Sequence, residues 1–149
     1  MIELATQKDI FCAQTLAEIA AKARAAFWTK EQFEEELKLS CAQIFLYRAQ
    51  EKKEPLGFIC FRTSQDEGEL TNFAVLPTEQ NKHIGTKLLS FALTYLLNQG
   101  IKKITLEVST QNPKAKKLYT NFGFKEVSLR KNFYEGGIDA ALMLFTAQN

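Results

Sequence analysis

Histidine occurs once in the 149-residue chain, at His83, and cysteine three times, at Cys12, Cys41 and Cys60. The cysteines are odd in number, far apart and without a CxxC pair, so neither a zinc site nor a disulfide framework is expected, and no metal is assigned. Cys60 lies in Phe58-Ile59-Cys60-Phe61, the setting of a small buried thiol with nothing nearby to activate it. Three prolines and seven glycines are too few for collagen-like or low-complexity structure. Apolar runs are broken by charge before the roughly 18 to 20 residues that a membrane span needs, and Met1-Ile2-Glu3 lacks the basic start of a signal peptide. A cytoplasmic protein with no membrane partner is expected. Nineteen Lys and Arg against 17 Asp and Glu leave a net charge of +2, too little to point to nucleic acid, so any basic site must be local.

What remains is ordinary globular material, 46% hydrophobic and 24% charged, in a length that suits one domain, 1–149, with a buried core. Residues 2–5 predict a short strand, and the Ala-rich stretch 9–27 predicts a long first helix. Thr29 and Gln32 have capping-box spacing and open a second, amphipathic helix with Phe33 and Leu37 on one face. Segments 44–47 and 56–61 read as antiparallel strands around a charged loop at 51–54. A polar turn at 64–68 leads to a third strand, 69–76, stopped by Pro77. Residues 84–97 show helical spacing with Gly100 at the cap position, and 104–108 is a strand, so strand, helix and strand form a parallel crossover. Asn112-Pro113 starts a further helix that ends at Gly123, and 124–129 pairs with 140–145 across Tyr134 to Gly137. A mixed α/β sheet with helices on its faces follows.

In such a sheet, ligands bind beyond the carboxyl end of a strand, at the amino terminus of the next helix. That locates a candidate site at 75–86, where Gln80-Asn81-Lys82-His83-Ile84-Gly85-Thr86 joins strand to helix. Free amides and the helix dipole favour a pyrophosphate there, and Lys82 adds a positive charge. The segment Gln80-x-x-His83-x-Gly85 resembles the acetyl-CoA loop of the GCN5-related N-acetyltransferases, with His83 in place of that pattern's first glycine. A histidine fits there if its φ is negative, its imidazole pointing to solvent or to phosphate. The block Leu106-Glu107-Val108-x-x-x-Asn112-Pro113-x-Ala115-x-x-Leu118-Tyr119-x-x-x-Gly123-Phe124 is similar to the strand and Asn-capped helix of the same superfamily. Ala26-Phe27-Trp28-Thr29, the strand through Asn72-Phe73-Ala74-Val75, Leu106-Glu107-Val108, and Arg130-Lys131-Asn132-Phe133-Tyr134 leading to Asp139-Ala140 resemble the bacterial ribosomal-protein-alanine N-acetyltransferases, the RimI type.

The resemblance implies a mixed, mostly antiparallel sheet of about seven strands flanked by about four helices. It also implies acetyl-CoA contacts at Phe73, Ala74, Val75, Asn81, Lys82, His83, Ile84, Gly85, Thr86 and Asn112. Glu107 would be the base, Tyr119 the acid, and Trp28, Phe133 and Tyr134 the walls of a cleft for a protein N-terminus, in a monomer or weak dimer. The chemistry suits these types, since a free α-amino group has a pKa of about 7.7 to 8 and attacks only when neutral. A backbone amide near Ala74 or Val75 would hold the oxyanion. Residue patterning leaves other readings open: Glu107 as the solvent-facing residue of a half-covered strand, Tyr119 as a core tyrosine, Asn112 as a helix cap alone, and the three aromatics as packing. The same pattern also admits a small amine as acceptor, or a CoA-binding module without turnover.

Overall fold

The computed structural model describes residues 1–51 and 53–148. The elements are β1 (Ile2–Leu4), α1 (Ala13–Lys22), α2 (Lys30–Lys38), β2 (Ala42–Tyr47), β3 (Gly57–Ser64), β4 (Glu67–Val75), α3 (Ile84–Asn98), β5 (Lys103–Ser109), α4 (Pro113–Asn121), β6 (Lys125–Tyr134) and β7 (Ile138–Thr146), with 3₁₀ turns at Gln7–Cys12 and Pro77–Glu79. The seven strands form one sheet in the order β1-β2-β3-β4-β5-β7-β6. Every pairing is antiparallel except β4 with β5. This is the mixed, mostly antiparallel architecture expected.

Strand alternation divides the interior into two layers. Ile44, Leu46, Phe58, Cys60 and Ala74 face α1 and α2. Phe45, Ile59, Phe61, Ile104, Leu106 and Val108 face the opposite way, into the core with α3 and Tyr119 of α4. Among the described residues, the core under α1 and α2 takes side chains from β2, β3 and β4 but none from β5, β6 or β7, although Ala140 of β7 is fully buried on that face. Phe33 is fully buried, with its ring centroid 5.2 Å from Trp28 and 5.2 Å from Phe58. One turn further on, the Glu36 carboxylate accepts from Arg62 Nε at 2.9 Å and Nη2 at 2.7 Å, a bidentate pair joining α2 to β3.

Several boundaries differ from expectation. The predicted helix over 9–27 is shorter, because the Thr6 and Asp9 capping box starts a 3₁₀ turn, and α1 stops at Lys22 before Arg24 enters the left-handed region at φ 56. The polar turn contracts to Gln65 and Asp66, since Ser64 pairs directly with Glu67. β6 continues past residue 129 to Tyr134 because register shifts between Arg130 and Tyr134 absorb extra residues while the pairing with β7 goes on. The loop expected at 51–54 includes residue 52, which lies outside the described residues. Other features hold: Thr29 and Gln32 form a full capping box, and the Asn112 side chain caps α4.

Phe33→Ala is expected to lower unfolding free energy by about 3 to 5 kcal/mol through the lost transfer energy and the cavity left between α2 and β3. Urea titration followed by circular dichroism reads this directly.

Candidate active site

The site begins with a divergence. β4 and β5 pair only at Glu67↔Lys103, Gly68↔Ile104 and Glu69↔Thr105, although the strands run on to Val75 and Ser109. The cause lies in β4: Cys60 faces Asn72 and Phe61 faces Leu70, so Thr71 is an extra residue and the strand bends there. A cleft therefore opens between the carboxyl-terminal halves of the two strands. The closed end lies at Glu69 and Thr105, and the open end is at Val75 and Ser109.

Alternation decides which groups face this cleft. Leu76 N–H donates to Leu56 O at 2.9 Å, so along this ladder the N–H groups of Ala74 and Asn72 turn toward β3, while those of Phe73 and Val75 turn toward β5. Phe73 N–H is taken by the Asn72 side chain at 2.9 Å, and the other end of that amide donates to Ala26 O at 3.2 Å, fastening the α1–α2 loop to β4. Val75 N–H is thus the amide aimed into the cleft, which narrows the sequence alternative of Ala74 or Val75. Gln80 Nε2 donates to Val75 O at 3.2 Å and holds the strand end against the following loop.

At the start of α3 the first intrahelical bond is Lys87 N–H to His83 O at 3.0 Å, so the amides of Ile84, Gly85 and Thr86 precede the ladder. A Cβ on Gly85 would sit 3.5 Å from the Phe73 ring, an ordinary contact. Packing within the protein does not demand glycine here, and its bareness leaves room for a group to approach the backbone. His83 adopts φ 63 and ψ 19, the left-handed region, and not the negative φ expected of a non-glycine residue. Its side chain is exposed. Lys82 is held by Glu79 at 3.3 Å, so its charge is partly offset. Another cation takes part that sequence reading missed: Lys114, in the first turn of α4, donates to Asn81 Oδ1 at 3.2 Å and ties the two helix starts together. These amides and lysines suit the diphosphate of CoA. Asn112 Oδ1 accepts from Ala115 N–H at 3.1 Å, which uses that oxygen for the cap.

Glu107 and Tyr119 stand on opposite faces of the sheet. Leu106 and Val108 enter the core that contains Tyr119, so Glu107 projects to the other side. The Glu107 carboxylate meets Arg130 Nη1 at 3.2 Å. Tyr134 lies near enough that burial and then the Glu107 charge raise its hydroxyl pKa above the usual tyrosine value. Burial, with a further contribution from Tyr134, raises Tyr119 well above the usual value. Its ring lies 6.4 Å from that of Phe73, at the wall of the cleft. Gln43 Oε1 is the one buried side-chain polar atom without a partner among the described residues. The Tyr119 hydroxyl, which bonds to none of them, therefore reaches accessible space. Phe133 and Tyr134 pack edge to face at 4.9 Å, but Trp28 does not join them. Its ring packs on Phe33 and borders a separate depression of about 340 Å³ with Ala17, Ala21 and Phe27.

The sequence model described as the Acetyltransferase (GNAT) family matches residues 13–124. The chain is 32% identical over 134 residues to the [ribosomal protein bS18]-alanine N-acetyltransferase of Haemophilus ducreyi, covering 90% of this chain and 88% of that relative. It is 37% identical over 97 residues to the protein of the same name from Haemophilus influenzae, covering 63% of this chain and 66% of that relative. The crystal structure of the ribosomal-protein-S18-alanine N-acetyltransferase from Escherichia coli matches with a TM-score of 0.85 at 25% identity, covering 100% of this chain and 96% of that one.

The left-handed backbone at residue 83 has a measurable consequence. His83→Val should destabilise the fold by about 1 to 2 kcal/mol relative to His83→Gly, because a branched side chain is strained at positive φ, and thermal denaturation of the pair reads the difference. The raised Tyr119 pKa means that its proton is kept where an ordinary tyrosine would lose it. Tyrosinate absorbance at pH 10 should therefore be lower in the folded wild type than in the unfolded chain, and Tyr119→Phe should lower the unfolded value while leaving the folded one nearly unchanged.

Proposed function

The chain belongs to the acetyltransferase (GNAT) family as an acetyl-CoA-dependent N-acetyltransferase, and we propose that its acceptor is the N-terminal α-amino group of a protein, specifically an alanine-starting small-subunit ribosomal protein. The observation that carries this reading is the placement of the partly exposed Glu107 side chain beside the Phe133 and Tyr134 hairpin, on the face opposite Tyr119. An extended chain end can lie across that face. The printed names of the Haemophilus and Escherichia coli relatives support the acceptor class.

In this reading acetyl-CoA supplies the thioester carbon at the β4–β5 cleft. The amides of Ile84, Gly85 and Thr86, with Lys82, Lys114, Asn81 and Asn112, hold the nucleotide end, while Phe73, Ala74 and Val75 flank the acyl arm. Glu107 accepts a proton from the α-amino group, directly or through water, as the new C–N bond forms. Val75 N–H donates to the oxygen on which negative charge develops. The C–S bond then breaks, and Tyr119 gives its proton to the departing thiolate. Base and acid approach the reacting carbon from opposite faces, so amine and thiol do not compete for one entrance.

Glu107→Gln and Tyr119→Phe should each lower kcat by about 10²- to 10⁴-fold, the range for a single general acid or base, with little change in acetyl-CoA Kd by calorimetry. Normal turnover in both variants would remove the assignment. A panel of N-terminal peptides and small amines, followed by thiol release and mass spectrometry, tests the acceptor. Acetylation confined to small amines refutes the peptide reading, and binding of acetyl-CoA without product from any amine refutes the enzyme's proposed chemistry.

A further inference from the structure

Arg62 with Glu36 and Arg130 with Glu107 are arginine–carboxylate pairs on the α1/α2 side of the sheet, and their geometries differ. Arg62 grips Glu36 through two nitrogens at 2.9 and 2.7 Å, and the Glu36 side chain is 5% exposed. Arg130 touches Glu107 through one nitrogen at 3.2 Å, with Arg130 54% and Glu107 23% exposed. Both arginines are about half exposed, but the first pair has the short, forked geometry of a fixed structural link around a buried carboxylate, whereas the second is longer, single and made to a partly exposed one. The Arg130 guanidinium also lies 5.7 Å from the centre of the Phe133 ring while it touches Glu107, a contact that it can keep when it leaves the carboxylate.

Glu107 is the group to which the proposed function brings an acceptor amine, and that amine arrives mostly as a cation. Arg130 is a permanent cation on the same carboxylate. We propose that Arg130 is a displaceable substitute for the acceptor ammonium at Glu107 and that it favours peptide termini over simple amines. A simple amine must expel the guanidinium and offers it nothing in return. A peptide terminus brings carbonyl oxygens past the α-amino group, and these can accept from the five guanidinium N–H donors once Arg130 has left Glu107. Arg130 is thus a specificity-determining residue, acting through its competition for Glu107. The inference rests on Glu107 receiving the acceptor, and it does not require Glu107 to be the base.

Binding measured without turnover separates those two questions. With the enzyme saturated by coenzyme A, which cannot donate acetyl, isothermal titration with ethylamine and with an alanine-starting hexapeptide amide reads acceptor affinity alone. Arg130→Ala should tighten ethylamine binding about two- to fivefold, the fold-change equivalent of a half-exposed ion pair, and should weaken or leave unchanged the peptide. In a Glu107→Gln background the effect of Arg130→Ala on ethylamine should vanish, because there is no carboxylate left to contest. Weaker or equal ethylamine binding in Arg130→Ala overturns the proposal, as does tightening that persists without the Glu107 carboxylate. Arg130→Lys keeps the charge and serves as a folding control, and it should bind ethylamine as weakly as the wild type. Loss of turnover in Glu107→Gln is scored separately and bears on the base assignment alone.

Discussion

Two parallel strands that part company after Glu69 and Thr105 create the space on which every functional feature depends. A sheet normally satisfies its backbone by continuous pairing, and an unpaired inner strand is costly unless something else takes its amides. Here the extra residue at Thr71 bends β4 away, Asn72 caps the amide of Phe73, and Gln80 caps the carbonyl of Val75. The amide of Val75 is left aimed into the gap, where a developing negative charge is its natural partner. Structural satisfaction and chemical readiness are thus divided between neighbouring peptide groups.

The gap also separates two environments. On one side lie the starts of α3 and α4, joined by Lys114 and Asn81, with bare amides and Gly85 inviting phosphate. On the other lies the face carrying Glu107, Arg130 and Tyr134. A carboxylate placed among the free amides at the start of α3 would repel any anion that they attract. Alternation along β5 avoids this, since moving Glu107 by one position would turn it into the core beside Tyr119.

Much of this was legible in the chain because it depends on local signals. Asn112-Pro113, Thr29 with Gln32, and the apolar spacing around Leu88, Leu89, Ala92, Leu93 and Leu96 each fix an element through short-range chemistry, and each is present in the fold. The capping box at Thr6 and Asp9 was equally local and went unread beneath the alanine content that suggested a longer helix. What sequence could not supply were meetings between distant segments. Lys114 with Asn81 and Arg130 with Glu107 depend on how helix starts and hairpin converge, for which spacing carries no record. The conformation of His83 was misjudged for a related reason: propensity argues against positive φ, but the turn from strand into α3 imposes it. Trp28 was assigned to the acceptor wall on motif likeness, and the structure adds that its ring packs on Phe33.

β6 ends the sheet, and among its residues only Tyr134 is even partly buried. A bare outer strand is an adhesive surface, able to recruit a neighbouring chain into an unwanted ribbon. This one carries Lys125, Glu126, Arg130 and Lys131 along its length, and its pairing with β7 is twice irregular. Charge and crookedness together keep the margin solvated. The arginine that meets the carboxylate therefore also belongs to the charged margin that disfavours edge-to-edge association, so one side chain sits in both settings.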